Sequence, residues 1–268
     1  MTQAGITGPG RVELSLVLAG GRTFVTPLQA SAALGVDGPT AARKLSRWAA
    51  EGWLRRVRRG LYIGVPVEAA APDLWSKDPL VVAAQVWPCY FTGWTAANHW
   101  ALSDQVFRTT VLKTTSRVRA SSVELLGQEY MVSAVTESAM SWGMKNEWVT
   151  ESRLKFADPA RTVIDILDAP RLAGGMRHGA EILDTYLQEH APATLIDYGD
   201  RIGNGAIFKR LGYCLEAQGH DFPDMVRACR ERISTGVSAL DPDGPKTGRI
   251  ASRWNLKVNV TVSAEEPA

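Results

Sequence analysis

Between Val12 and Leu18 the apolar positions are 12, 14, 16, 17 and 18, and the run stops at Gly20-Gly21, which predicts a first helix closed by glycine. Thr26-Pro27-Leu28-Gln29 then has the form of a capping box with proline at the first helical position, opening a short, alanine-rich helix over 27–34. Gly35-Val36-Asp37-Gly38 reads as a turn, with Val36 filling the space between helices, and Pro39 opens a third helix that reaches about Ala50 before Gly52 ends it. On that helix Ala41, Leu45, Trp48 and Ala49 recur at helical spacing and form one apolar face, while Thr40, Arg43, Lys44 and Arg47 form a polar one. Trp53–Val57 interleaves Arg55 and Arg56 with strand-forming residues, Arg58-Arg59-Gly60 is a tight basic turn, and Leu61-Tyr62-Ile63 returns, which predicts a β-hairpin.

The rest of the pattern is longer and more mixed. Residues 65–78, with Pro66, Pro72 and an alanine-rich stretch, read as a linker. Buried helices are expected at Pro79–Trp87 and Trp94–Leu102, then strands at Val106–Lys113, Val123–Leu126 and Tyr130–Val135, with the region to about Phe156 mostly β. Asp158-Pro159 starts a helix whose Val163, Ile164 and Leu167 face inward and whose Arg161 and Asp165 stand four apart as an expected ion pair. Gly174-Gly175 interrupts the chain before helices at 176–190, 193–202 and 205–218, and the alternating tail Trp254–Val262 is expected to close the sheet as its last strand. The fold class expected is α+β: a winged helix-turn-helix over 1–64, a linker over 65–78 and a larger mixed α+β domain over 79–268.

Composition adds little until it is divided along the chain. The 268 residues are 45% hydrophobic and 22% charged, ordinary for a globular protein. The three cysteines, Cys89, Cys214 and Cys229, are far apart and suit a reducing compartment. The start, MTQAGITGPGR, has no basic segment followed by an apolar core, and the longest apolar stretch, around Pro79–Trp87, is too short to span a bilayer, so a soluble, cytoplasmic protein without membrane association is expected. The formal net charge of +2 conceals an asymmetry: residues 1–64 carry nine basic and three acidic residues, a net +6, and the remainder nets −4. Seven of those nine basic residues fall between 43 and 59, which points to a module built for a polyanion.

A recognition helix needs one side in the core and the other in the major groove, where arginine pairs bidentately with guanine and lysine or threonine holds phosphate or base edges. Base reading therefore falls to Thr40, Arg43, Lys44 and Arg47, and phosphate or minor-groove contact to Arg55, Arg58 and Arg59.

Catalytic patterns are weaker. Gly203-Asn204-Gly205-Ala206 and Gly244-Pro245-Lys246-Thr247-Gly248 miss phosphate-loop spacing, the four histidines (His99, His178, His190, His220) are scattered and read as surface or packed residues, and no nucleophile elbow occurs. None of the eight lysines has an acidic residue two positions earlier, against one common nuclease arrangement. His220-Asp221 and the Asp241/Asp243 pair read as solvated loop charges. No catalytic residue, metal ligand or cofactor is assigned. A nucleic-acid-processing enzyme and a ligand-sensing transcription factor stand as alternatives, separable by metal-dependent nicking and by co-expression with the neighbouring gene.

Several blocks taken in order carry a family likeness. They are Leu54-Arg55-Arg56-Val57-Arg58-Arg59-Gly60-Leu61-Tyr62, then Phe156-Ala157-Asp158-Pro159-Ala160-Arg161-Thr162-Val163-Ile164-Asp165, then Gly174-Gly175. Gly203-Asn204-Gly205-Ala206 with Lys209-Arg210-Leu211-Gly212-Tyr213, and Leu240-Asp241-Pro242 running to Ser252-Arg253-Trp254, complete the set. Through them the chain resembles the AbiE-type (AbiEi) antitoxins of abortive-infection toxin–antitoxin systems over nearly its whole length. Family members more often have Pro-Glu-Arg-Thr where this chain has Pro159-Ala160-Arg161-Thr162. The resemblance implies a winged-helix domain that represses its own operon at inverted repeats of double-stranded operator DNA. It also implies a C-terminal domain opposing a co-encoded nucleotidyltransferase-like toxin without a stable complex, and neither enzymatic activity nor a cofactor.

Overall fold

A computed structural model describes residues 8–66, 68–69 and 75–262. It is a mixed α and β protein whose contacts group into two units, Met1–Val86 with Val123–Tyr130, and Trp87–Ser122 with Met131–Ala268. Residues 67 and 70–74 of the expected linker lie outside the described residues.

The first unit begins with helix α1 (Gly8–Val17), strand β1 (Phe24–Val25), helix α2 (Pro27–Leu34) and helix α3 (Gly38–Ala50). Strands β2 (Leu54–Arg58) and β3 (Leu61–Gly64) follow, then helix α4 (Pro79–Val86). The capping box forms as its residues dictate: the Gln29 amide N–H donates to Thr26 Oγ1 at 3.3 Å, and the Thr26 N–H donates to Gln29 Oε1 at 2.8 Å. Gly35 takes the left-handed conformation that closes α2, and Asp37 caps α3 by accepting from the Thr40 N–H at 2.6 Å. The core joins Leu14 and Val17 of α1, Ala30 of α2, Ala41, Leu45 and Trp48 of α3, and Leu54 and Tyr62 of the hairpin.

Three features of this unit are not legible in the sequence. The first helix starts four residues earlier than the apolar run, and β1 pairs antiparallel with β3 to make a three-stranded sheet, order β1-β3-β2. In β2 the register slips between Arg56 and Arg58, so Val57 is an extra residue opposite the Tyr62–Leu61 step. This bulge breaks strict alternation: Leu54 and Val57 are buried while Arg56 and Arg58 are exposed.

Strands β6 (Ser122–Leu125) and β7 (Gln128–Ala134) fall across the division between the units, and the second unit is built on a sheet in which β5 (Thr110–Thr114), β4 (Cys89–Phe91), β9 (Ser152–Ala157) and β8 (Met144–Val149) are neighbours in that order. Strands β4 and β9 run parallel, while β4 with β5 and β8 with β9 run antiparallel. The helices are α5 (Gly93–His99), α6 (Pro159–Asp168), α7 (Met176–Glu189), α8 (Ala193–Ile202), α9 (Gly205–Ala217) and α10 (Pro223–Arg232). Every residue of α6 from Ala160 to Leu167 is buried, so this helix is the centre of the core, packed with Leu172, Ile182, Leu183, Ile207, Leu211 and Trp254. Its N-cap is Asp158, as the Asp-Pro start predicts.

Several expectations are corrected here. The strand expected from Val106 begins at Thr110, and Val106 lies in an irregular segment, 89% exposed. The tail does not close the main sheet: β12 (Leu256–Val258) pairs with β10 (Ser238–Ala239) and β11 (Arg249–Ala251) in a separate three-stranded sheet. Asp241 is not a solvated loop charge. It is buried and accepts from the Met176 N–H at 2.9 Å, capping the Gly174-Gly175 turn onto α7. His220-Asp221 do lie in the irregular stretch expected of them, but helix α10, which was not expected, follows at Pro223.

Candidate nucleic-acid interface

The seven singled-out residues lie on two neighbouring pieces of the first unit, helix α3 and the β2–β3 hairpin, which share one core. At about 100° per residue, Arg43 projects roughly 165° and Arg47 roughly 125° from the centre of the Ala41–Leu45–Trp48 stripe. Both are exposed. Arg43 Nη2 donates to Thr40 Oγ1 at 3.0 Å, which organises one turn of the outer face. Arg47 lies 3.6 Å from Glu51, its side chain 58% exposed, a contact too open to hold it.

Lys44 is placed differently. It sits roughly 70° from the centre of the buried stripe, at the edge of the polar face. There its ammonium donates to both carboxylate oxygens of Glu13 on α1, at 2.9 and 2.7 Å. Arg55 is half-buried, and its guanidinium donates to the Trp75 carbonyl. Arg58 and Arg59 are exposed at the end of the hairpin, where Gly60 takes a φ of +78° to make the turn. Arg56, turned outward by the Val57 bulge, joins them as an exposed cation that alternation alone would have put in the core.

The second unit has its own polar centre. Asp165, fully buried, accepts from Lys113 Nζ at 2.9 Å, Arg161 Nε at 3.0 Å, Thr92 Oγ1 at 2.8 Å and Tyr90 OH at 3.1 Å. Burial works to raise its carboxyl, but Lys113, Arg161 and the hydrogen bonds outweigh it and hold the group below the usual carboxylate range. The Arg161 guanidinium stacks 3.6 Å from the Trp142 ring centroid. The expected ion pair thus forms, with three further partners, Lys113, Thr92 and Tyr90, that no local spacing reveals. The network is buried, and apart from Arg161 Nη1, which has no hydrogen-bond partner among the described residues, it has the arrangement of a structural ion cluster.

Burial pushes the thiols of Cys89, Cys214 and Cys229 up to about 12, so none is an activated nucleophile at neutral pH. Of the histidines, His99 stacks on Phe156 and His178 bonds through its ring to Ser103 and Ala173. Among the described residues no group of three or more His, Cys, Asp or Glu is arranged to hold a metal ion, and no helix is long and apolar enough to cross a membrane.

No curated protein matches the chain. Among solved structures, the crystal structure of the RV2827C protein from Mycobacterium tuberculosis superposes with a TM-score of 0.67 at 18% identity, covering 95% of this chain and 92% of that one, a likeness of fold. Residues 14–63, which hold α2, α3 and nearly all of the hairpin, match the family model of the AbiEi antitoxin transcriptional regulators.

Proposed function

We propose that the first unit is a winged helix-turn-helix that binds double-stranded operator DNA, and that the protein is the antitoxin and transcriptional repressor of its own operon. In this reading α3 is the recognition helix, entered from α2 through the Gly35–Asp37 turn, and the β2–β3 hairpin is the wing. Thr40, Arg43 and Arg47 read base edges, and Arg58 and Arg59 neutralise phosphates or enter the minor groove. Lys44 and Arg55 belong to the same contact set with smaller effects, because a DNA contact must first displace Glu13 from one and the Trp75 carbonyl from the other. The observation that carries the proposal is the exposure of Arg43 and Arg47 opposite a buried helix stripe, together with Arg58 and Arg59 at the end of a hairpin on the same core.

The family match over residues 14–63 supports the antitoxin role. The finer picture is autoregulation at inverted repeats by a cytoplasmic protein without catalytic activity, opposing a co-encoded nucleotidyltransferase-like toxin without a stable complex. Gel shifts on the DNA upstream of the gene test the first part. Arg43→Ala and Arg47→Ala each weaken binding by about 1–3 kcal/mol and relax sequence preference. Unchanged affinity in both, and in Arg58→Ala and Arg59→Ala, would sink the assignment. Co-expression with the adjacent gene tests the second part, relief of growth arrest being the expected result.

A further inference from the structure

The second unit also carries a hairpin, β8–β9, with the chemistry of a nucleic-acid contact. Strand β8 is the last strand of its sheet and pairs with β9 from Met144↔Ala157 to Val149↔Ser152. Directly opposed residues of an antiparallel pair share a face, as do alternate residues along each strand. Trp148 with Arg153, and Asn146 with Lys155, therefore lie on one face, Lys155 being the diagonal neighbour of Trp148. The opposite face carries Leu154 and Phe156 into the core, with Glu147 and Lys145 beside them, and Lys145 is held over the Trp100 ring.

Trp148 is 71% exposed, whereas the other eight tryptophans are buried or half-buried. Arg153 is exposed and Lys155 half-exposed, and neither makes an ion pair or side-chain hydrogen bond among the described residues. Asn146, also exposed, adds an amide beside them. The acidic residues nearest in sequence are off this face: Glu147 points to the other side and Glu151 lies in the turn. An indole open to solvent and flanked by two uncommitted cations costs solvation and gains nothing within the fold. The same set stacks an unpaired base while neutralising the phosphates on either side of it.

We infer that the outer face of the β8–β9 hairpin, Trp148 with Asn146, Arg153 and Lys155, binds single-stranded nucleic acid, one base stacked on the indole and adjacent phosphates on Arg153 and Lys155. The site is separate from the duplex-binding reading of the first unit and does not depend on it. Duplex DNA presents its bases already stacked and offers no free face to Trp148, so the preference is for unpaired strands.

Fluorescence anisotropy of the full chain with labelled oligo-dT and oligo-rU of roughly 15 nucleotides, and with a duplex of the same length, tests this. Trp148→Ala weakens single-strand binding by roughly 5- to 100-fold, whereas Trp148→Phe stays near wild type because it keeps a stacking ring. Neutralising both cations (Arg153→Gln with Lys155→Gln) lowers the magnitude of the log–log salt slope by about 1.4. In the Arg58→Gln with Arg59→Gln variant a single-strand signal that depends on Trp148 persists. Binding to either or both sugars supports the proposal and names the strand. No single-strand binding by the wild type overturns it, as do a folded Trp148→Ala variant that binds like wild type, loss of the signal in the Arg58/Arg59 variant, and a Trp148-dependent dimer that binds no oligonucleotide.

Discussion

The ammonium of Lys44 rests between the two carboxylate oxygens of Glu13, 2.9 and 2.7 Å away, tying helix α3 to helix α1 across 31 positions of sequence. With side chains 23% and 34% exposed, the pair is only partly screened, so it both secures the helix and cancels one positive charge near the proposed groove-facing surface. Glu13→Gln is expected to release that charge. Affinity for duplex DNA at low salt should rise several-fold and the magnitude of the log–log salt slope should grow by roughly 0.9. A salt titration with an unaltered slope would show that Lys44 never reaches phosphate.

Arg58 and Arg59 should behave differently from the α3 arginines. Replacing both with Gln should weaken binding to specific and random duplexes alike and reduce the slope by roughly 1.8, about 0.9 per lost phosphate contact. Competition between the two duplexes checks this, because a selective loss on the specific site would place these residues at base edges instead.

Asp165→Asn should destabilise the second unit by about 3–5 kcal/mol, since Lys113 and Arg161 would be left facing a neutral amide in a buried site. The pH dependence follows from the depressed carboxyl. A group whose folded pKa lies below its unfolded value contributes its stability above the unfolded value, near 4, and loses it as pH falls through the folded one. Urea unfolding between pH 7 and pH 2 should therefore show a steep acid limb in the wild type and a flatter one in the variant.

Gly212 on α9 should not tolerate a methyl group. An added Cβ would lie 2.0 and 2.2 Å from ring carbons of Trp254, whose indole N–H donates to Glu216 at 2.7 Å. Gly212→Ala should cost about 1–3 kcal/mol or more in thermal unfolding, as Trp254 is driven off its partner. Gly236→Ala, with nothing within 4 Å of its added Cβ, should stay within about 0.5 kcal/mol.

The boundary of what the sequence reveals follows the range of the forces involved. Thr26, Gln29 and Asp158 are readable as caps because a cap is satisfied within three residues of itself. The Ala41–Leu45–Trp48 stripe was readable because helical spacing alone decides it. Lys44 was assigned to the outer face with its neighbours, and only the arrival of Glu13 from another helix shows how far it leans toward the core. Leu-Arg-Arg-Val-Arg contains no sign of a bulge, because the register slip is set by pairing with Tyr62 and Leu61. For the same reason the tail strand was expected in the wrong sheet and Asp241 on the surface: both are settled by partners far along the chain. Nothing in the sequence around Trp148 marks it, since exposure is a property of the neighbours and not of the residue.

The bulge at Val57 uncouples two properties that an ordinary strand keeps linked. In a regular β-ribbon, altering the outward charges by insertion or deletion inverts every inward side chain as well. Here the slip is absorbed at one position, so Leu54, Val57 and Leu61 stay seated while Arg56, Arg58 and Arg59 stand clear of them. The charge on the rim can accordingly be changed, arginine by arginine, without any compensating change in the interior.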